Sequence, residues 1–232
     1  MTFVIGDIHG CFDKYEEMLS KMNPTDKDAV FVLGDVIGIG DEGIRVLQDM
    51  MYRTNIFPVL GEQEYMAKKV FPAISEFSSL NEAKKELTGD DAEALTKWLG
   101  MKAEKTIEDF LSLDEEGKES IIDYLSEFQP WEEIKAKGKS FVLCHNGIGN
   151  FDESRELEDY NEEDFVFGNT DYSSIYFPDK YLVTGHTPTV GIDKAFMGKV
   201  YAKKRHLALD CGAVYNCRLA GVCLDTLKVY YV

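Results

Sequence analysis

Hydrophobic positions in the first sixty residues switch between short continuous runs and helical spacing. Residues 2–5, 29–33 and 56–60 are short apolar runs rich in β-branched side chains. Residues 13–22 place Tyr15, Met18, Leu19 and Met22, and residues 42–52 place Ile44, Val46, Leu47 and Met50, at the spacing of one helix face. Strands separated by such helices predict a parallel β-α-β-α-β layer. From residue 65 to about 135 the chain turns to Glu, Lys, Leu and Ala, with helical spacing at 83–87, 92–99 and 118–128. Thr88-Gly89-Asp90-Asp91 reads as a stop followed by an N-cap. This stretch is expected to be a helical insert over the sheet. The last third predicts strands at 140–144, 180–184, 198–201, 206–209, 218–224 and 228–232, with a turn at Asp225-Thr226 and a long loop over 146–179.

A length of 232 residues suits one domain, 1–232, with the insert inside it. The formal charge of −17 repels a nucleic-acid backbone, so sequence-independent nucleic-acid binding is not expected. Five cysteines, an odd count without a C-x-x-C pair, fit a reduced cytoplasm better than a disulfide framework. No apolar run reaches the roughly 20 residues of a membrane span, and the first strand starts at residue 2, so neither a membrane role nor a signal segment is expected.

Four apolar runs are followed at once by Asp or His: FVIGDIHG (Asp7, His9), VFVLGDV (Asp35), FVLCHNG (His145) and YLVTGHTP (His186). In open α/β sheets the crevice beyond the strands' carboxyl ends gathers side chains that are distant in sequence. Carboxylate oxygen and imidazole nitrogen are the donors that divalent cations prefer. A lone Asp after a strand is usually a cap or turn residue, and a lone His is usually structural. Three of the four histidines in such positions, with two Gly-Asp pairs, argue for a metal site instead. Two ions about 3.5–4 Å apart would clamp a phosphate and hold a hydroxide for in-line attack.

GDIHG, the Gly-Asp at Asp35, the H-x-G at His145 and GHTP at His186 resemble the calcineurin-type metallophosphoesterases, in particular their bacterial phosphoprotein phosphatase and diadenosine-tetraphosphatase branch. GDIHGCFDKYEEML and HLALDCGAVYNCRLAGVCLDT extend the resemblance over nearly the whole chain. It implies an α/β fold, a sandwich of two mixed β-sheets flanked by helices. It also implies hydrolysis of phosphate esters or anhydrides by two divalent ions, manganese first, with iron, zinc or magnesium as alternatives. Asp7, His9 and His186 would bind one ion, Asp35 would bridge, and His145 would help to hold the second. Partners would be a small phosphorylated substrate or a phosphoprotein.

Two motifs depart from the family pattern. Its GNHE reads Gly61-Glu62-Gln63-Glu64 here. Glu62 can still ligate, but Gln63 stands where the family has the histidine that protonates the leaving group. Losing positioned acid catalysis costs about 10²–10⁴ in rate. In place of GDxVDRG, Gly38 replaces the Asp that orients that histidine, and Ile39 replaces a phosphate-binding arginine. A second such arginine is matched by Asn169, with Arg155 in the same loop as an alternative. Two divalent ions against Asp7, Asp35 and Glu62 leave one net positive charge, a weaker attraction for a monoester dianion. The expected activity is therefore weak on alkyl monoesters and better on aryl esters, anhydrides and diesters. The alternative is a metal-binding pseudo-phosphatase that recognises a phosphorylated ligand without turning it over. In a third reading the metal centre has decayed and only the fold persists.

Overall fold

The computed structural model describes residues 1–232. β1 (Thr2–Ile5), β2 (Ala29–Val32) and β3 (Ile56–Pro58) run parallel and are joined by α1 (Phe12–Met22) and α2 (Gly43–Met51). Five helices follow: α3 (Glu62–Ile74), α4 (Leu80–Glu86), α5 (Gly89–Gly100), α6 (Glu104–Leu111) and α7 (Glu115–Ser126). The remainder comprises β4 (Trp131–Ala136), β5 (Lys139–Cys144), α8 (Glu162–Val166), β6 (Lys180–Thr184), α9 (Thr189–Ile192), β7 (Tyr201–Lys203), β8 (His206–Ala208), β9 (Ala220–Cys223) and β10 (Lys228–Tyr231).

The strands form two five-stranded mixed sheets, ordered β10-β9-β1-β2-β3 and β4-β5-β6-β8-β7. β5, β6 and β8 are parallel to one another, and the antiparallel pairs lie towards the edges. Period-two alternation sends each strand's side chains to two different cores. Val4, Phe31, Leu33, Phe141, Leu143 and Val183 meet between the sheets. Phe3, Ile5, Val30 and Val32 turn outward under the helices, in a core of 40 buried residues. Val142, Cys144 and Leu182 face the long loop instead, packing on Phe165 and Tyr176. This is the expected sandwich.

Helix α3 begins directly after β3, and the insert packs on it: Phe71 stacks on Phe110 with centroids 3.8 Å apart and meets Trp98 edge-on. The insert's last helix stops at Ser126, and the expected helical texture to about 135 is wrong over its last residues. WEEIKA pairs with β5 through a two-residue turn at Lys137 and Gly138, both with positive φ. That is the turn whose twist matches a hairpin, and the strand's charged outer face disguised it. Strand β7 starts at Tyr201 rather than 198. The 146–179 loop contains α8, closed by a capping box between Asn161 and Asp164. All five cysteines are free thiols, and no helix is long and apolar enough to cross a membrane.

Candidate metal centre

Six carboxyl strand ends converge at one edge of the sandwich. The first sheet sends Asp7 and His9 past β1, Asp35 past β2 and Glu62 past β3; the second sends His145 past β5, His186 past β6 and Asp210 past β8. The first two loops are laced by backbone: Ile8 and His9 N–H both donate to the Asp35 carbonyl (3.1 and 2.7 Å), and Gly40 N–H returns to the His9 carbonyl (3.0 Å). His9, Asp35 and His186 all have left-handed backbone, with φ of 46, 47 and 59°. That conformation costs a non-glycine residue roughly 1–2 kcal/mol, and it persists where surrounding structure over-determines it, as at functional sites. Close approach is enforced by glycine: a Cβ on Gly61 would stand 2.2 Å from the Asp35 nitrogen, and one on Gly185 would stand 2.1 Å from Asp7 Oδ1.

The two oxygens of Asp35 face different imidazoles. Oδ2 lies 3.5 Å from His9 Nε2, and Oδ1 lies 3.4 Å from His145 Nε2. The His145 ring is set by its Nδ1, 2.7 Å from the Leu33 carbonyl, and the His9 ring by its Nδ1, 3.1 Å from that of Ile37. With those nitrogens donating, both Nε2 atoms present lone pairs to the crevice, the usual support for a ligating histidine. His186 Nδ1 stands 3.1 Å from His145 Nε2, while the His186 backbone N–H donates to both Asp7 oxygens (2.9 and 3.1 Å). His186 thus touches both halves of the cluster, with its ring towards His145 rather than towards the Asp7–His9 pair with which the resemblance grouped it.

Two triads result, Asp7–His9–Asp35 and Asp35–His145–His186, each with ligand atoms within 4.8 Å of one another and with Asp35 shared. Both fit a divalent ion. Their donors, carboxylate oxygens and imidazole nitrogens, are the set that divalent cations prefer. The electrostatics also call for a cation. Burial, then the charges of Asp210 and Asp35, push Asp7 well above the usual carboxylate range. Burial pushes Asp210 up to about 6. For Asp35 burial acts in the same direction, but the His145 and His9 imidazoles and the Gln63 N–H (3.0 Å from Oδ1) hold it below its ordinary value. Burial and the neighbouring His145 bring His186 down to about 4, so its ring stays neutral and able to ligate.

The other sequence-selected residues are less tightly placed. Glu62, the first residue of α3, is half-buried and belongs to neither triad. It forms no salt bridge, and burial together with the Asp35 charge raises its pKa. Gln63 is buried, and its Oε1 accepts from the Trp98 indole N–H at 2.8 Å. Asn169 lines a surface pocket with Ile148, Phe151 and Tyr176. Arg155 lies over the Tyr160 ring at 3.9 Å and donates to the Asp159 carbonyl, so its guanidinium is engaged within its own loop.

Sequence reasoning passed over three residues that shape this site. Asp210 follows the β8 run just as the chosen carboxylates follow theirs, and that position was the available signal. Glu64, fully buried, accepts the N–H groups of Asp35 (2.8 Å), Val36 (2.8 Å) and Ile37 (3.1 Å) and so anchors the β2 loop. Burial and the Asp35 charge outweigh those donors and push it up to about 8. Trp98 comes from the insert, and no local pattern announces its bond to Gln63.

The profile of the calcineurin-like phosphoesterase family matches residues 2–210. The chain belongs to that family. Among curated relatives of this calcineurin-like phosphoesterase is the symmetrical bis(5'-nucleosyl)-tetraphosphatase of Wigglesworthia glossinidia brevipalpis, 33% identical over 100 residues, which are 42% of this chain and 36% of that protein. The enzyme of the same name from Proteus mirabilis is 26% identical over 138 residues, 59% of this chain and 48% of that protein. The chain therefore spans less than half the length of these relatives. A solved structure of a candidate diadenosine tetraphosphatase superposes with a TM-score of 0.68 over 100% of this chain and 92% of that one, at 17% identity, a likeness of fold alone.

Proposed function

We propose that this calcineurin-like phosphoesterase is a metal-dependent hydrolase acting on phosphoanhydrides, diesters or aryl esters, with weak activity on alkyl monoesters. The observation that carries this reading is the sharing of Asp35 between the two triads. Asp7, His9, Asp35, His145 and His186 would hold two divalent ions, manganese first, and the unpaired Glu62 would complete the second position. Ions held there supply Lewis acidity and lower the pKa of a water.

The chain's own groups set the substrate preference. Gln63 has no proton of useful acidity, and its carbonyl oxygen is already occupied by Trp98. A leaving group of high pKa therefore departs unassisted, which penalises phosphoserine and spares anhydrides and aryl esters. Asp210 adds a further carboxylate to the centre and reduces the net positive charge offered to a dianion. Beside the centre, Pro188, Val190, Met197, Cys211 and Tyr215 line a largely apolar pocket of about 360 Å³. The pocket is two residues from His186 and next to Asp210, and its size and lining suit an aryl group or nucleobase attached to the phosphate. The fold would act as one domain with α3–α7 as its cap, in a reducing cytoplasm.

The test is hydrolysis of an aryl phosphate, an aryl phosphodiester and a dinucleoside polyphosphate with Mn²⁺, with Asp35→Ala as control. Turnover that vanishes in the variant, ranked diester or anhydride above phosphoserine, is the expected result. The pinned Gln63 favours one second reading, a phospholigand-binding pseudo-phosphatase. Folded, metal-loaded protein with no turnover above Asp35→Ala on any substrate would select it.

A further inference from the structure

A phosphate approaching this centre meets a wall of carboxylates: Asp7, Asp35, Glu62 and Asp210. Phosphoryl ligands need compensating cations, and the chain's five arginines are all engaged elsewhere. Arg45 pairs with Glu42 and Arg53 with Asp49. Arg155, Arg205 and Arg218 lie over Tyr160, Tyr181 and Tyr231. Among the lysines near the cap, Lys68 pairs with Glu162 and Lys69 donates to the Tyr65 hydroxyl.

Lys97 differs from all of these. Its residue is exposed, and its ammonium forms neither an ion pair nor a hydrogen bond in a chain that carries 42 acidic residues. It stands 4.9 Å from the ring centroid of Phe167, two residues before Asn169. Its neighbour on α5, Trp98, reaches Gln63 in the crevice, so this turn of α5 forms the rim of the site.

We propose that Lys97, delivered by the helical cap, is the cation that binds the phosphoryl oxygens of the substrate in this site. The proposal rests on the reading of the centre as a phosphate-processing one. Phe167 provides an aromatic face on which the ammonium parks when the site is empty, a contact worth little at an exposed position. The four-carbon stem lets the charge swing from that face to a ligand.

The test is equilibrium dialysis of radiolabelled inorganic phosphate against the Mn²⁺-loaded full chain, with thermal melting as a fold control. Lys97→Ala should weaken phosphate binding about tenfold or more, as expected for losing one charge-assisted contact. Lys97→Arg should restore it to within about threefold, which a purely structural role would not require. Lys84→Ala, the same charge change on α4 where Lys84 pairs with Glu104, should have no effect. Unchanged affinity in Lys97→Ala, with binding still abolished by Asp35→Ala, would overturn the proposal and leave the phosphoesterase reading intact. Equal weakening by Lys84→Ala would overturn it in favour of a net-charge effect. A parent protein that turns over substrate yet binds no phosphate would also overturn it, while failure of both binding and turnover would remove the functional reading as well.

Discussion

The indole N–H of Trp98 donates to Oε1 of Gln63 at 2.8 Å, and the same glutamine side chain rests against the bare Cα of Gly38, where a Cβ would lie 2.5 Å from its amide carbon. The two departures from the family pattern are therefore one packing unit, held from above by the cap. Replacing Trp98 by Phe removes the donor and leaves a buried carbonyl oxygen unpaired, a loss of about 1–3 kcal/mol. Urea denaturation of Trp98→Phe should report it. Gln63→His should not restore acid catalysis on alkyl phosphates, because nothing at Gly38 can orient the ring, and Gly38 has φ of +112°, which an Asp side chain resists.

Binding of Mn²⁺ should stabilise the fold and depend on Asp35. At a hundredfold excess over Kd the gain is about 2.7 kcal/mol, visible as an upward shift in the melting temperature that Asp35→Ala abolishes.

Metal affinity should rise with pH. Asp7 is raised well above its ordinary value and Asp210 lies near 6, so at pH 5 an ion must displace the Asp210 proton, which is largely gone by pH 7. Titration calorimetry at the two pH values should show tighter binding at pH 7, with proton release at pH 5.

His206, the remaining histidine, provides a separate pH response. It is 2% exposed, stacks on Tyr172 and bonds Thr184 through Nε2, while its Nδ1 has no partner. Burial lowers it to about 4 from 6.5. A depressed histidine leaves its full contribution above pH 6.5 and loses it as pH falls towards 4, because the unfolded chain takes the proton first. The loss is roughly 3 kcal/mol between pH 7 and 4. Parent and His206→Gln should therefore differ in stability by roughly 3 kcal/mol less at pH 4 than at pH 7 in urea titrations.

Tyr215 is exposed on the rim of the apolar pocket. Stacking a base on an aromatic ring contributes about 1–3 kcal/mol. Tyr215→Ala should raise KM for a dinucleoside polyphosphate about tenfold with little change in kcat, and it should leave inorganic phosphate binding unaltered.

The parallel layers and the strand-end pattern at Asp7, Asp35, His145 and His186 were legible because short uninterrupted apolar runs end abruptly in Gly-Asp, Gly-His or His. Glu64 was written in the same GEQE segment, but its task of accepting three N–H groups depends on a loop conformation that no local periodicity encodes. Lys97 and Trp98 lay hidden for a different reason. They belong to a charged, helix-rich stretch in which one lysine looks like any other until the packing of α5 on α3 brings it to the rim.

Because three strand ends from each sheet meet at the centre, the carboxylates that need a cation come from both halves of the sandwich. Asp7 and Asp35 hang from one sheet and Asp210 from the other, and only a single isolated bridge, Val59 with Gln129, links the two sheets by strand-type pairing. A divalent ion bound there would act as a rivet through two plates. Its withdrawal would leave like charges facing each other across the seam, so chelation should loosen the sandwich first at the edge that carries this cluster, while the opposite edge stays shut.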